Sequence, residues 1–224
     1  MRRSVLAPLF SLAAALVLGT HARADFVVTI GSAAVAQGGT GTVDVLIRST
    51  GTGGDKLSSF GFEFQVTPTG PRHLDFRNPQ LDAQLGAVNY VFAGDSGDLV
   101  STLPVGAVKS VSGGTNNQFI GGDDTNSGGD VTVTSDKLLV RLNLTAATSA
   151  APIVGDSFTI SLIPSAFTDF RSANNALIPF TSTPGVVRIT GVPEPSAVLL
   201  FAAGAALTLS ASTRFRRSDH RASP

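Results

Sequence analysis

Hydrophobic and polar residues alternate through the middle of this chain with a period of two. In "LSSFGFEFQVTP", Phe60, Phe62, Phe64 and Val66 share one face, while Gly61, Glu63 and Gln65 share the other. That is the pattern of a half-buried strand. "TVDVLIRS" sets Val43, Val45 and Ile47 against Asp44 and Leu46, and "KLLVRLNLT" places Leu138, Val140, Leu142 and Leu144 on one side. "DSFTISLI" opposes Phe158, Ile160 and Leu162 to Thr159 and Ser161, and "GVVRIT" closes the series. Turn clusters such as "GTGGD", "SGGTNN" and "GGDDTNSGGD" separate these runs. "LDAQL" fits one short helical turn, and no strong helical period comes between the strands. Strands with one wet and one dry face are satisfied by antiparallel sheets packed face to face. The expected fold class is therefore all-β, an antiparallel β-sandwich of about eight to ten strands.

Composition agrees with this reading. Charge is sparse at 14% and glycines number 24 among 224 residues, as in a domain rich in turns. The formal net charge of +0 hides an asymmetry. Between Asp25 and Val192 nine Lys/Arg face fourteen Asp/Glu, whereas both ends are basic. An acidic body does not suit nucleic acid, whose phosphates would repel it. The absence of cysteine removes disulfides, thiolate metal sites and cysteine nucleophiles together.

The two ends follow a different pattern from the body. "MRRSVLAPLFSLAAALVLGTHARADF" has a positive start (Arg2, Arg3), an apolar run from Val5 to Leu18, and small residues at Ala22 and Ala24. This predicts a secretory signal peptide over residues 1–24, handled by the Sec export machinery and cleaved after Ala24. From Ser196 to Thr213 there is no charge. As a helix at about 1.5 Å per residue this stretch would be roughly 27 Å long, enough to cross a bilayer's hydrocarbon core. Thr208, Ser210, Ser212 and Gly204 make the span weak, and Arg214, Arg216 and Arg217 follow at once. By the positive-inside rule these arginines keep the C-terminus cytoplasmic and act as a stop-transfer signal. A weak span behind a Pro-rich motif predicts a removable one, because Pro193 and Pro195 hold the segment extended and open to a processing enzyme. Glycolipid-anchor signals share that logic of a small polar site and a disposable greasy tail.

"VPEPS", a span and then "RFRR" resemble the PEP-CTERM sorting signal of Gram-negative and related bacteria, with Pro193, Glu194 and Pro195 matching the family motif residue for residue. The likeness covers Val192 to Arg217. The chain departs from it in continuing as "SDHRASP", where such tails end near the basic cluster. The resemblance implies recognition by a membrane-embedded exosortase and delivery to the outer surface or exopolysaccharide matrix. The expected organisation is a signal peptide (1–24), a β-sandwich domain (25–190), a linker with the PEP motif (191–195), a transmembrane helix of the sorting signal (196–213) and a basic cytoplasmic tail (214–224).

A second resemblance rests on the order of elements in the body. "GGTGTVDVLI", "SSFGFEFQVTP", a late "GDSFTISL" and a terminal "GVVRI" are similar to cohesin-like domains, which are jelly-roll sandwiches related to some carbohydrate-binding modules. It implies a domain that binds partner modules or serves as a passive structural unit, with no individual binding residue to carry over.

Candidate chemistry is thin. "GDSGD" (Gly94 to Asp98) looks superficially like the nucleophile loop of trypsin-like proteases. His73, however, is the only histidine between Asp25 and Val192 and lies too near in sequence to serve from a separate barrel, while Gly-Asp-Ser-Gly is also an ordinary turn. No paired-carboxylate motif stands out, and the body is read as non-enzymatic. His73, in "GPRHLDF", reads as a solvated loop residue, with no second body histidine to share a metal. In "GGDDTNSGGD", Asp123, Asp124, Asn126 and Asp130 offer hard oxygen ligands within eight residues, so Ca2+ is a candidate ligand, and a solvated turn is the plainer reading. The loop lacks the EF-hand order, with Gly128 where an acid or amide would sit and no Glu at the twelfth position. No Trp and a single Tyr, Tyr90, argue against a platform that stacks on sugar rings, though not against a hydrogen-bonding groove. "NLT" (Asn143 to Thr145) matches a glycosylation sequon inside a predicted strand and reads as chance. The expectation is an exported, non-enzymatic surface or matrix protein with a structural or adhesive role. The alternative is a carbohydrate- or protein-binding module, with exopolysaccharide or a surface protein as partner.

Overall fold

The computed structural model describes residues 26–98, 106–109 (backbone alone), 116–147 and 150–191. The expected signal peptide (1–24), Pro193-Glu194-Pro195, the apolar stretch 196–213 and the arginines after it lie outside these residues. Among the described residues no helix is long and apolar enough to cross a membrane.

Among the described residues, fourteen strands and one helical turn follow one another. The first half holds β1 (Phe26–Ile30), β2 (Ala33–Ala36), β3 (Thr40–Ser49), β4 (Asp55–Leu57), β5 (Ser59–Pro68), β6 (Leu74–Phe76) and a 3-10 turn at Ala83–Gly86, where "LDAQL" predicted one. Then come β7 (Gly106–Lys109), β8 (Gln118–Asp124), β9 (Val131–Val133), β10 (Lys137–Ala146), β11 (Ser157–Leu162), β12 (Asp169–Arg171), β13 (Phe180–Thr183) and β14 (Gly185–Thr190). They build two facing sheets. One has the order β13-β1-β3-β10-β6; the other runs β2-β14-β11-β5-β8-β7, with β12 added beside β5; β4 and β9 form a separate ribbon.

The alternation read from sequence sets the core. Phe60, Phe62, Phe64 and Val66 point inward from β5, Val43, Val45 and Ile47 from β3, and Phe158, Ile160 and Leu162 from β11. Phenylalanine rings fill the space between the sheets: Phe62 meets Phe119 at 5.2 Å between centroids, and Phe60 meets Phe92 at 5.5 Å. Burying each such ring stabilises the fold by about 1.5–3 kcal/mol.

Two expectations need correction. In β10 the register slips between Leu138 and Val140, so Leu139 is an extra residue. This bulge sends Leu139 into the main core beside Val140, while Leu138, equally buried, lies outside that cluster under the Asn89–Val91 segment, whose backbone it hydrogen-bonds. A bulge breaks strict period-two alternation at one residue. The sandwich is also not purely antiparallel, because β1 pairs with β13 and β2 with β14 in parallel. The reason is a double crossing. After Ile30 the chain leaves the first sheet and enters the second as β2, and after Thr183 it does the same as β14. The two crossings run side by side and touch at Gly185, where an added Cβ would lie 2.0 Å from the Gly31 carbonyl oxygen and 2.9 Å from that of Ile30. Only a residue without a side chain fits there.

Candidate functional site

The polar residues that the sequence singled out gather where β8 ends and the segment from Tyr90 to Asp98 folds over it. Strand alternation decides their fates. Asp123 and Asp124 are neighbours at the end of β8, so their side chains leave on opposite faces. Asp123 points inward and is 7% exposed. Its Oδ2 accepts the Tyr90 hydroxyl at 2.6 Å and the Ser96 hydroxyl at 2.6 Å. Its Oδ1 accepts the backbone N–H of Asp124 at 2.8 Å and of Asp98 at 3.2 Å. Four donors thus satisfy one buried carboxylate, the condition under which an acid can be taken out of water.

Tyr90 is the partner that composition could not place. It is 1% exposed, so it presents no stacking plate; its ring meets Phe92 edge-on at 6.3 Å and its hydroxyl is spent on Asp123. Burial first, and then the charge and hydrogen bond of Asp123, push its phenol far above the ordinary range. The "GDSGD" turn binds the same strand end. Gly97 N–H donates to the Asp124 carbonyl at 2.7 Å, and the Asp95 carboxylate accepts the Ser127 N–H at 2.9 Å and its hydroxyl at 2.7 Å. The turn predicted in place of a nucleophile loop is therefore present as a turn, and it works as a brace. Asp98 follows it. Burial, then Asp123, Asp124 and Asp82, push the Asp98 carboxyl up to about 6, and among the described residues its buried Oδ2 has no hydrogen-bond partner.

The four oxygen-bearing residues proposed for Ca2+ are not brought together as a ligand set. Asp123 faces inward with both oxygens occupied, and Asp130 Oδ1 accepts the Ala173 N–H at 2.6 Å. Asn126 donates its backbone N–H to Asp95 O, and Asp124 faces solvent. Among the described residues no group of three or more His, Cys, Asp or Glu is arranged to hold a metal ion. His73 stands in the loop before β6, its N–H on the Ala150 carbonyl. Asn143 of the sequon is 5% exposed within β10 and unsuited to glycan attachment.

A polar cleft opens beside Asp124. Ser59 opens β5 and stands in register between Asp124 of β8 and Arg171 of β12, so the three share one rung on the outer face of the sheet. Turns 125–128 and 172–175 form the walls of a recess of ≈ 220 Å³. The second wall is fixed by Asp130 on Ala173 and by Arg171 Nη1 on Asn175 Oδ1 at 2.9 Å, with Asn175 in the left-handed region at φ 62°. Arg171 is itself tied to Asp169 at 2.7 Å. Sequence reasoning missed Tyr90, Ser96, Asp98 and this cleft, all of which depend on pairing between segments distant in the chain.

Fold and geometry define an all-β, two-sheet sandwich with a braced acidic end. Neither a family model nor a curated protein matches the sequence. Solved structures similar to it are cohesins. The seventh ScaB type I cohesin of Pseudobacteroides cellulosolvens is 13% identical, covering 76% of this chain and 96% of its own, at a TM-score of 0.48. A non-cellulosomal cohesin of Archaeoglobus fulgidus is 14% identical over 78% and 96%, at 0.45. The third ScaC cohesin of Acetivibrio cellulolyticus, solved in complex with the ScaB dockerin, is 15% identical over 74% and 99%, at 0.46. These are likenesses of architecture alone, and no residue role or partner is taken from them.

Proposed function

We propose that this chain is an exported, non-enzymatic protein of the cell surface or exopolysaccharide matrix. Its β-sandwich is the folded body, with a structural or adhesive role, and residues 191–224 are its sorting signal. The observation that carries this reading is where the body closes. Among the described residues the last strand, β14, ends at Thr190, and Pro193-Glu194-Pro195 follows almost directly. Every described strand that seals the core lies before the motif, so in this reading removal of the tail leaves the sandwich intact. In this reading the Sec machinery exports the chain and Ala22-Arg23-Ala24 marks the first cleavage. Arg214, Arg216 and Arg217 stop transfer, and an exosortase acts at the PEP motif. The polar cleft supports a second reading alongside the first, in which the body is also a binding module for a surface glycan or protein.

The test is the intact mass and C-terminal peptide of the protein recovered from its host's surface and medium. A chain beginning at Asp25 and ending between Pro193 and Ser196 is expected. A chain still ending at Pro224 in the membrane fraction would overturn the sorting reading and make 196–213 a permanent anchor.

A further inference from the structure

We propose that the cleft at the Asp124 rung binds a single non-anionic sugar unit. The proposal deepens the surface-module reading above by naming the ligand class, and it does not depend on how the tail is processed.

The groups left free in the cleft define the chemistry. Among the described residues, the Asp124 carboxylate and the Ser59 hydroxyl have no hydrogen-bond partner; both residues line the recess, with Asp124 Oδ1 packed against the Gly97 backbone at its edge. Asn175 uses Oδ1 on Arg171, which leaves its Nδ2 amide to donate. A carboxylate that accepts, an amide that donates and a hydroxyl that does either complement the neighbouring hydroxyls of a sugar ring. Other ligand classes fit poorly. No Lys or Arg lines the recess, so a phosphate or carboxylate ligand would meet only Asp124 as a charge. Arg171, on the Ser59 rung, is engaged by Asp169 and Asn175, and Asp98, which the Asp124 charge reaches, adds to the repulsion of anions. A metal would find a single carboxylate in the lining, and an apolar ligand only Ala173. The recess of ≈ 220 Å³ is smaller than the pockets of about 300–1,000 Å³ that take drug-sized ligands, and it is open to solvent. One ring can seat while the rest of a glycan chain runs outward.

The walls are built to hold still. Asp130 on Ala173 and Arg171 on Asn175 fix the turn that carries the amide, and Asn175 keeps a left-handed backbone that non-glycine residues seldom adopt. Held groups lose little freedom when a ligand arrives.

The experiment is a titration of the full chain, followed by the backbone amide resonances of Gly128, Ala173 and Asn175. The probes are cellohexaose, a β-1,4-linked galacto-oligosaccharide, chitohexaose and an oligogalacturonate. Saturable shifts at those amides with at least one of the three neutral probes, and none with the uronate, are expected. Asp124→Asn removes the charge at constant shape. Asn175→Asp keeps the oxygen that Arg171 holds and tolerates the left-handed backbone, while it removes the amide donor, so the wall is kept. Each should weaken binding about tenfold, the loss of one hydrogen bond to the ligand. No saturable response to any probe, a response to the uronate alone, or binding indifferent to both variants would overturn the proposal. Loss of tail processing in the host would leave these titrations unchanged.

Discussion

The crossing of the terminal strands and the acidic end of the sandwich join distant segments by different means. At the crossing, backbones of β1–β2 and β13–β14 run against each other with no room for a side chain between Gly31 and Gly185. At the acidic end a side chain does the joining, with Asp123 gathering Tyr90, Ser96, Asp98 and Asp124 around one carboxylate. Backbone contact makes the first joint intolerant of bulk and indifferent to pH. Charge makes the second tolerant of small shape changes and sensitive to protons and to lost partners.

Adding a methyl group tests the first joint. Gly185→Ala sets a Cβ against backbone oxygens that cannot turn aside, so a loss of about 3 kcal/mol or more is expected. Urea unfolding should show the same loss at pH 5 and pH 7, and a tolerated alanine would break the contrast. At the second joint, Asp123→Ala strands four donors in a buried place and should cost about 3 kcal/mol. Tyr90→Phe removes one donor and should cost about 1.5 kcal/mol. If chemical denaturation finds the two variants equal, Asp123 is not the hub.

The smallest effect is the most specific. Asp98 titrates at about 6 in the folded protein, against an ordinary value of 3.8. The folded state therefore holds this proton more tightly than the unfolded chain does. Its contribution is fully favourable below the ordinary value and is lost as pH rises through about 6. Thermal melts across this window should show stability declining toward neutral pH, with Asp98→Asn flattening the decline and matching the parent in acid. A variant that leaves the slope unchanged would move the pH response elsewhere, Asp75 being the next group whose carboxyl burial raises.

The division between what alternation encodes and what it does not runs through particular residues. Phe60 to Val66 face the core as the pattern says because burial is a local choice between two faces. The parallel partnership of Phe26 with Phe180 is a choice between distant segments, and no local period carries it. Leu139 escaped because one inserted residue changes the face without changing the composition. The Asp-rich loop was legible as a polar turn, with Ca2+ as a candidate ligand, but not in how its side chains divide. Strand geometry turns Asp123 inward, leaves Asp124 outward and gives Asp130 to a neighbouring turn, a division that no local string encodes. The lone tyrosine and the Gly-Asp-Ser-Gly turn were the available signals for the hub, but they become a pair only when the segment from Tyr90 to Asp98 folds onto β8.

The crossing also sets a timetable. Among the described strands β2 pairs only with β14, and the Val186 N–H reaches Ser32 Oγ across 154 residues of sequence. At a synthesis rate of about 5–20 residues per second, the partner of β2 appears about 8–30 s after it. Until then β2 has no strand to pair with, whereas β5 of the same sheet can already pair with β8, β11 and β12. The described strand that finally pairs with β2 is the one made just before Pro193, so the sheet closes only as residues 193–195 are about to emerge.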